Sequence, residues 1–375
     1  MMLSFWEKDE FLNYDVIVIG AGIVGLSTAI SLKEQDSELS VLVLERGVFP
    51  TGASTKNAGF ACFGSLTEIL SDLETLPSQE VYNLVKLRWK GLNLLRERLG
   101  DEAIDYKNYG GYELLSESQL DCLDQMNNVN DLLNPLFKQD VYSAVTDRLP
   151  DFRFGKEKVK GLIFNPLESQ IHTGKMMREL AMLAQRLGVN ILTGTTVKNF
   201  TDNGQECEVL TNDELTFKAK RVAICTNAFS KKLIKDAELK PGRGVVLITK
   251  PIKGLTLKGT FHYDEGYYYF RNYQDRIIFG GGRNLDLEGE NTTDFEIRSL
   301  ILDRLKTDLE QMIIPNHDFE IDHVWSGIMA FGHNKKPILK KHSENVFIGI
   351  RLGGMGVAIG SKVGEELAEL MYPTT

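Results

Sequence analysis

The sequence predicts an α/β protein in which a Rossmann-like domain, with parallel strands covered by helices, carries a second, inserted α+β domain. Three observations predict this fold class. A strand–helix–strand pattern with spaced glycines occupies 15–45, and a second glycine-rich junction between a strand and a helix occupies 346–358. Alternating apolar residues in 236–320 indicate a mostly antiparallel sheet. The first two patterns need helical crossovers and the third needs hairpins, so we assign them to different domains.

The first pattern is a glycine-rich turn between a strand and a helix. An apolar run at 16–19 precedes the turn, and a helical stretch at 23–35 follows it. The glycines have the order G-x-G-x-x-G, which allows a tight bend, close approach of the backbone to a pyrophosphate and close packing of helix on strand. The residues that we expect to form this dinucleotide site are Gly20, Gly22, Ile23, Val24 and Gly25.

A carboxylate follows the second strand of this unit. The apolar run 41–44 ends in Glu45, about 20 residues beyond the last glycine, where an acid holds a ribose hydroxyl. A carboxylate there disfavours a ribose 2′-phosphate, because like charges repel. We include Glu45 and its neighbour Arg46 in the predicted cofactor site.

The next segment is rich in small and polar residues. Its sequence at 51–59 is TGASTKNAG, which is too polar for core. Because it directly follows the second strand, we favour a loop that contacts the cofactor over a solvated turn. Its polar members are Ser54, Thr55, Lys56 and Asn57.

The composition excludes several classes of function. The net charge of −9 leaves no basic surface for nucleic acid, and no apolar run approaches the ~20 residues of a membrane span. The four cysteines show no C-x-x-C spacing, so we expect no disulfide or metal site and a cytoplasmic protein with reduced thiols. The acidic segment 1–13 has no signal-peptide core, and we predict an arm that packs on the surface through Phe5, Trp6, Phe11 and Leu12.

Two further strand ends complete the predicted first domain. The buried strand near 221–225 ends in the small polar residues Thr226, Asn227 and Ala228, and ligands bind at such carboxyl ends. The strand 346–350 runs into a glycine-rich helix start whose N–H groups could bind an electron-rich group. A nicotinamide enzyme has no need for this second junction, whereas an FAD enzyme does. The predicted first domain therefore comprises 14–99, 160–235 and 322–375, and the second comprises 100–159 and 236–321.

The second domain contains an aromatic hairpin. Alternation in the strand near 266–271 places Tyr267, Tyr269 and Arg271 on one face. We interpret Arg88, Arg96 and Arg98 as a solvated helix face and not as a binding patch. For Arg243 we favour a structural role over a role as a second ligand anchor.

Together these motifs resemble the D-amino-acid-oxidase-like superfamily of FAD-dependent amine oxidoreductases, which includes glycine oxidase, sarcosine oxidase and γ-glutamylputrescine oxidase. The resemblance covers 14–371 and rests on the GAGIVG turn, the GASTKNAG loop, the TNA strand end, the YYYFR hairpin and the GGMGVA junction. It implies that the backbone at Val197 meets adenine and that one junction faces the flavin pyrimidine edge. That junction consists of Gly354, Met355, Gly356 and Val357. In the superfamily that this chain resembles, members with covalent flavin attach it through a Cys, as in some sarcosine oxidases, or through a His in the early loop. Here the early loop has no His and 325–337 has no Cys, so we expect non-covalent FAD.

The resemblance also implies a reaction. An amino acid or amine would lose hydride from its C–N carbon to flavin N5, and the imine would hydrolyse, with no essential protein base. We predict Arg271 as the anchor of a substrate carboxylate, with Tyr267, Tyr269 and His262 as wall residues; an exposed strand-end charge is the alternative for Arg271. The electron acceptor is oxygen or another acceptor. An FAD dehydrogenase that uses a quinone or carrier protein and a non-catalytic flavin-binding protein remain alternatives, and the sequence defines neither the substrate nor the oligomeric state.

Overall fold

A computed structural model describes residues 2–373 and shows two eight-stranded sheets with helices packed on them. The helices are α1 (Phe5–Phe11), α2 (Ile23–Gln35), α3 (Ala53–Lys56), α4 (Leu66–Thr75), α5 (Ser78–Leu99), α6 (Met126–Phe137), α7 (Leu149–Phe152), α8 (Thr173–Arg186), α9 (Ser299–Asp308) and α10 (Gly356–Met371). The strands are β1 (Asn13–Ile19), β2 (Val41–Leu44), β3 (Phe60–Ala61), β4 (Gly111–Leu115), β5 (Ser143–Ala144), β6 (Gly161–Asn165), β7 (Ser169–Gln170), β8 (Asn190–Leu192), β9 (Val197–Asp202), β10 (Cys207–Thr211), β11 (Thr216–Ile224), β12 (Lys240–Thr249), β13 (Thr260–Tyr263), β14 (Tyr268–Tyr273), β15 (Arg276–Gly281), β16 (Ile321–Phe331), β17 (Ile338–Lys341) and β18 (Val346–Ile350).

The first sheet has the predicted Rossmann-like organisation. Its order is β17-β18-β11-β1-β2-β8, and the pairs from β18 to β8 are parallel. The strands β2 and β18 are buried along their whole length, as expected for parallel strands covered on both faces. Helices α2 and α10 pack on this sheet and on each other. Antiparallel strands β9 and β10 extend the sheet beside β11.

The close approach of α2 to β1 depends on glycine. A Cβ atom built on Gly25 would lie 1.9 Å from the carbonyl oxygen of Gly20, which no side chain tolerates. Gly20 itself has a φ of +105°, a conformation that other residues rarely adopt. The turn between β1 and α2 is therefore determined sterically by two of the three predicted glycines.

The second sheet is mixed. Its order is β16-β12-β15-β14-β13-β4-β6-β5; the pair β4–β13 is parallel and the other pairs are antiparallel. One face is held by aromatic stacking, with the Phe261 and Phe270 rings 4.8 Å apart and nearly parallel. Tyr112 stacks on the same Phe261 ring at 5.1 Å. The opposite face carries His262 and Tyr269, which are adjacent in the β13–β14 register.

Two strands differ from the predicted division of the chain. The strands β6 and β16 fall within 160–235 and 322–375, which we assigned to the first domain, except for the first residue of β16. In the structure both pair within the second sheet, β6 with β4 and β16 along nearly all of β12. Their alternating patterns do not reveal which sheet they join, because both sheets contain half-buried strands. Residues 374–375 of the predicted first domain lie outside the described part.

The predicted N-terminal arm contains a helix. Ser4 caps α1 and exchanges hydrogen bonds with Glu7 in a capping box. The side chains of Phe5, Trp6 and Phe11 are 68%, 74% and 56% exposed, so the predicted packing of these aromatic residues is wrong. Residue 1 of the arm lies outside the described residues. Within 2–373, none of the helices combines the length and the apolar character needed to cross a bilayer.

Candidate active site

A cavity of about 1000 Å³ lies between the carboxyl ends of the first sheet and one face of the second sheet. The strands β1, β2 and β11 reach it through Gly20, Glu45 and Cys225, which directly follow their last residues. Val246 and Tyr269 line it from the second sheet. Ligands of open α/β sheets bind at these carboxyl ends, so the position of the cavity agrees with the predicted cofactor site.

The glycine-rich turn is fixed to the cofactor loop by a side chain. The Ile23 N–H donates to Ser54 Oγ at 3.0 Å, and a Cβ atom on Gly22 would lie 2.9 Å from that same oxygen. Gly22 therefore allows α3 to approach the start of α2. The remaining N–H groups of the first turn of α2 have no partner within the helix, which makes this end suited to an anion.

Glu45 closes the turn from the side of β2. Its carboxylate accepts hydrogen bonds from the Ala21 N–H and the Gly47 N–H, both at 3.0 Å. The side chain is 7% exposed and lines the cavity. Each oxygen retains a free lone pair, so the carboxylate can still accept from a hydroxyl of a bound nucleotide.

The cofactor loop is held by its own polar side chains. Asn57 donates to the Ser54 carbonyl at 2.9 Å and accepts from Thr173 Oγ1 at 2.8 Å. The Thr55 hydroxyl donates to the Pro50 carbonyl at 2.9 Å and does not line the cavity, so Thr55 shapes the loop and does not face the cofactor site. Lys56 is attached to β16, because its carbonyl accepts from Trp325 Nε1 at 2.9 Å.

A second glycine junction lines the same cavity as this loop. Asn227 Oδ1 accepts from the Arg351 N–H at 3.0 Å, which joins the end of β11 to the segment between β18 and α10. Cβ atoms built on Gly353 and Gly354 would meet no protein atom within 4 Å. Both residues line the cavity, so open space for a ligand lies over this backbone and at the start of α10.

Most predicted cofactor residues line this one cavity. Gly25 and Thr55 do not, because Gly25 packs on β1 and Thr55 bonds within its loop. The predicted residues that line it are Gly20, Gly22, Ile23, Val24, Glu45, Arg46, Ser54, Lys56, Asn57, Val197, Thr226, Asn227, Ala228, Gly354, Met355, Gly356 and Val357.

Arg271 does not occupy the position that a substrate anchor requires. Its guanidinium donates to the carbonyl oxygens of Ala58 at 2.5 Å and Ile171 at 3.1 Å and to Gln170 Oε1 at 2.9 Å. The side chain is 4% exposed and does not line the cavity, and burial lowers its pKa to about 10. The donors are used by protein acceptors, so the structure contradicts both the carboxylate anchor and the exposed-charge alternative. Arg271 connects the hairpin to the cofactor loop.

The other three predicted wall residues, His262, Tyr267 and Tyr269, line the cavity. The Tyr269 ring lies across Gly280, where a Cβ atom would approach the ring to 2.7 Å. Its hydroxyl has no hydrogen-bond partner among the described residues. Burial raises the pKa of Tyr269 to about 12, so the hydroxyl remains a hydrogen-bond donor at ordinary pH.

A buried polar cluster adjoins this wall. It consists of Cys62, Glu168 and His262, which are all buried. The Cys62 Sγ atom, a carboxylate oxygen of Glu168 and an imidazole nitrogen of His262 lie within 4.8 Å of one another. His262 Nε2 and Glu168 Oε2 are 2.9 Å apart. Sequence reasoning missed Glu168, because it lies in a short turn without a motif. It also misjudged Arg88, which is 2% exposed and lines the cavity.

Arg283 is a cation that sequence reasoning also missed. It follows β15, lines the cavity and places its guanidinium carbon 3.9 Å from the centre of the Phe331 ring. Among residues 2–373 no carboxylate forms an ion pair with it, and no acceptor forms a hydrogen bond with it. Arg243, by contrast, is buried in a bidentate pair with Glu290 at 2.8 and 2.9 Å, as the structural interpretation predicts. The glycine run that precedes Arg283 is the only local signal for a special position.

The Rossmann-like sheet, the two glycine junctions and the continuous cavity define a flavin-dependent oxidoreductase. Residues 15–370 match the family described as FAD dependent oxidoreductase, DAO, and the chain belongs to this family. Gamma-glutamylputrescine oxidoreductase of Escherichia coli (strain K12) is 23% identical over 98% of this chain and 85% of its own length. D-amino acid dehydrogenase of Vibrio atlanticus (strain LGP32) is 24% identical over 95% of each. The solved glycine oxidase from Geobacillus kaustophilus superposes with a TM-score of 0.78 at 20% identity, covering 97% of this chain and 96% of that one.

These findings confirm the predicted family, the α/β fold class and FAD as the cofactor. The protein is an FAD-dependent enzyme of the amine and amino-acid oxidoreductase family. The residues of the cavity fit the group, because the two glycine junctions leave the open space described above and present helix N-termini to it.

Proposed function

We propose that the enzyme oxidises the C–N bond of an amino acid or of an amine that carries a carboxylate, and that it binds FAD without a covalent bond. FAD supplies an acceptor for hydride at flavin N5, and the resulting imine hydrolyses in water. The protein's own residues bind the substrate, orient it and exclude water from it. The four cysteines are free thiols, which supports the proposed cytoplasmic location.

The observation that carries this proposal is the unpaired guanidinium of Arg283 on the cavity wall. A cation that is partly buried and has no protein anion costs free energy unless a ligand supplies one. Burial lowers the pKa of Arg283, which indicates this same cost of desolvation. A substrate carboxylate would offset it and could accept two parallel hydrogen bonds from the planar fork. Arg283 thus takes the role that the sequence predicted for Arg271.

Two tyrosines that line the same cavity as Arg283 extend this site. A Cβ atom on Gly281 would lie 2.1 Å from the Tyr267 carbonyl, so the Tyr267 backbone is pressed against the end of β15 that leads to Arg283. The Tyr269 hydroxyl is free to donate to a carboxylate oxygen. Arg283 and the two aromatic side chains together favour a small zwitterion or carboxylated amine over a purely apolar amine.

The test has two steps, and the first concerns the cofactor. The absorption spectrum of the purified protein should show flavin bands, and after acid precipitation these bands should appear wholly in the supernatant. Flavin that remains in the pellet would contradict non-covalent binding. A protein that takes up no added FAD would contradict the family assignment itself.

The second step identifies substrate and acceptor. The holoenzyme is mixed anaerobically with glycine, N-methylated and N-carboxymethylated glycine, D- and L-amino acids, and diamines, and bleaching of the flavin band is recorded. We expect bleaching by carboxylated amines; bleaching by diamines alone would contradict the role of Arg283. Oxygen consumption compared with reduction of a quinone or dye then distinguishes an oxidase from a dehydrogenase.

A further inference from the structure

We propose that His262, oriented by Glu168, accepts the proton that a substrate ammonium loses before its C–N bond is oxidised. This inference rests on the proposed function and departs from the expectation of no essential protein base. It makes His262 a catalytic residue and Glu168 a positioning residue. The N–H bond of the ammonium breaks, and His262 Nδ1 binds the proton. The lone pair left on the substrate nitrogen then forms the C=N bond, while the electrons of the adjacent C–H bond leave as hydride to the cofactor.

The hydrogen bond between the two side chains determines which imidazole nitrogen is available. His262 Nε2 lies 2.9 Å from Glu168 Oε2, and the side chains are 7% and 2% exposed. The same oxygen accepts from the Thr260 hydroxyl at 3.2 Å. A carboxylate accepts only, so it fixes the proton on Nε2 and leaves the lone pair on Nδ1. Within 2–373, Nδ1 has no hydrogen-bond partner.

The imidazole is placed where a substrate nitrogen can reach it. His262 lines the cavity on β13, and its register partner on β14 is Tyr269. The Phe60 ring packs edge-on against both, with its centre 5.1 Å from the imidazole and 5.6 Å from the Tyr269 ring. Phe60 directly follows the cofactor loop, so the imidazole lies on the part of the substrate wall that adjoins this loop.

The charges around His262 are predominantly negative. Burial alone would lower its pKa, but the Glu168 carboxylate, with smaller effects of Glu113 and Glu68, raises the pKa above the usual value. Burial raises the pKa of Glu113, which moderates its negative charge. The titratable and charged groups that face this region are Glu168 after β6, Glu113 on β4, Glu68 on α4, Arg88 on α5, Cys62 after β3, Tyr142 before β5 and Tyr269 on β14.

This environment reduces the difference in proton affinity between the substrate amine and the His262 imidazole. Amines have a pKa of about 8 to 10 in water, and transfer of the ammonium into a water-poor cavity lowers that value. The imidazolium is stabilised because Glu168 neutralises it. The proton therefore moves to His262 without leaving the cavity, and the imidazolium that forms is an ion pair with a buried carboxylate.

The test is the pH dependence of anaerobic flavin reduction at saturating substrate, measured by stopped flow on the holoenzyme. In His262→Asn the ammonium must lose its proton to water, so the rate constant should fall roughly tenfold per pH unit below the amine pKa. We expect the variant to match the wild type at pH 10 within about threefold, and to be at least about tenfold slower at pH 7. Recovery at high pH is a result that a merely structural histidine would not give.

Two further variants sharpen the assignment. Glu168→Gln keeps a hydrogen-bond acceptor for Nε2 but removes the charge, so we expect about fivefold slower reduction at pH 7 and recovery at pH 10. His323→Asn is the matched control, because His323 lies on the same sheet, is exposed and does not line the cavity. Its profile should superpose on that of the wild type. Nitrogen-15 spectra of histidine-labelled holoenzyme at pH 10 should contain one set of imidazole signals, with Nε2 protonated and Nδ1 unprotonated, that is absent from the spectrum of His262→Asn.

The outcomes separate this proposal from the proposed function. If the wild type is reduced and His262→Asn follows the same profile, or is slower by one factor at every pH, His262 is not the proton acceptor. A Glu168→Gln profile equal to that of the wild type would remove Glu168 from the role. If no amine reduces the wild-type flavin, the proposed function fails first. If His262→Asn does not bind FAD, the pH profile of Glu168→Gln and the nitrogen-15 spectrum of the wild type test the proposal instead. A wild-type profile for Glu168→Gln would then contradict it.

Discussion

The two ends of the cavity are built in different ways. At the cofactor end, the side chains that fix the glycine turn come from nearby in the chain: Glu45 is 24 residues from Ala21, and Ser54 is 31 residues from Ile23. At the substrate wall, His262 is 94 residues from Glu168, and Arg271 is 100 residues from Ile171. The glycine turn at the cofactor end is determined by contacts between residues close in sequence, whereas the wall is determined by polar pairs that only the folded chain brings together.

The largest effect should follow a substitution in the local turn. In Gly25→Ala the new Cβ atom would lie 1.9 Å from the Gly20 carbonyl oxygen. The Cβ is attached directly to the helix backbone and the oxygen belongs to the turn backbone, so neither atom can move aside. We expect a loss of at least about 4 kcal/mol in the free energy of unfolding, together with loss of bound FAD. Urea denaturation followed by circular dichroism and the flavin content of the purified protein measure both.

Gly52→Ala is the control for the turn. Gly52 caps α3 with a φ of −79°, and its added Cβ atom would meet nothing within 4 Å. This variant should lose less than about 1 kcal/mol. Equal stabilities of Gly25→Ala and Gly52→Ala would show that the close approach of α2 to β1 does not control the cofactor end.

The second largest effect should follow substitution of Arg271, which joins the wall hairpin to residues distant in sequence. Arg271→Met leaves the buried carbonyl oxygens of Ala58 and Ile171 without a donor. We expect about 3 to 5 kcal/mol lower unfolding free energy, because unsatisfied buried acceptors keep their full desolvation cost. The control is Arg276→Met on the same hairpin, which loses an ion pair with the 43% exposed Asp322 and one hydrogen bond to the Thr249 carbonyl; it should cost about 1 to 2 kcal/mol. A mild effect of Arg271→Met would return this residue to consideration as a ligand contact.

This contrast explains what the sequence could predict. The turn at Gly20 and Gly25 has a fixed spacing and a fixed steric purpose, so the pattern predicts both fold and cofactor. The wall residue Tyr269 was also predicted, because alternation along a strand reports which residues share a face. Neither spacing nor alternation reports which charge receives a partner from a distant segment.

Arg271 and Arg283 show the consequence. Alternation places Arg271 on the same face as Tyr269, yet the tertiary structure supplies it with three acceptors and removes it from the cavity. Arg283 follows the last residues of the same hairpin, and among the described residues its guanidinium has only an aromatic ring as a partner. The sequence distinguishes a satisfied arginine from an unsatisfied one only after the positions of the acceptors are known.

The smallest of these effects should be confined to substrate binding. Arg283→Met removes a guanidinium that packs on the Phe331 ring but pairs with no carboxylate among the described residues, so the free energy of unfolding should change by about 1 kcal/mol or less. For a carboxylated amine, the apparent dissociation constant from anaerobic flavin reduction should rise about 10- to 100-fold, the value of a charge-assisted hydrogen bond. For the matching amine without the carboxylate, the variant and the wild type should bind equally.

Arg283→Lys tests the geometry of that contact. It keeps the positive charge but loses the planar fork, so it should recover only part of the lost affinity for the carboxylated amine. The difference between the two substrates isolates the carboxylate, because every other contact of the amine is retained. A loss in Arg283→Met that is equal for both substrates would mean that Arg283 shapes the cavity without binding the carboxylate. The substrate wall would then be steric in origin, like the cofactor end.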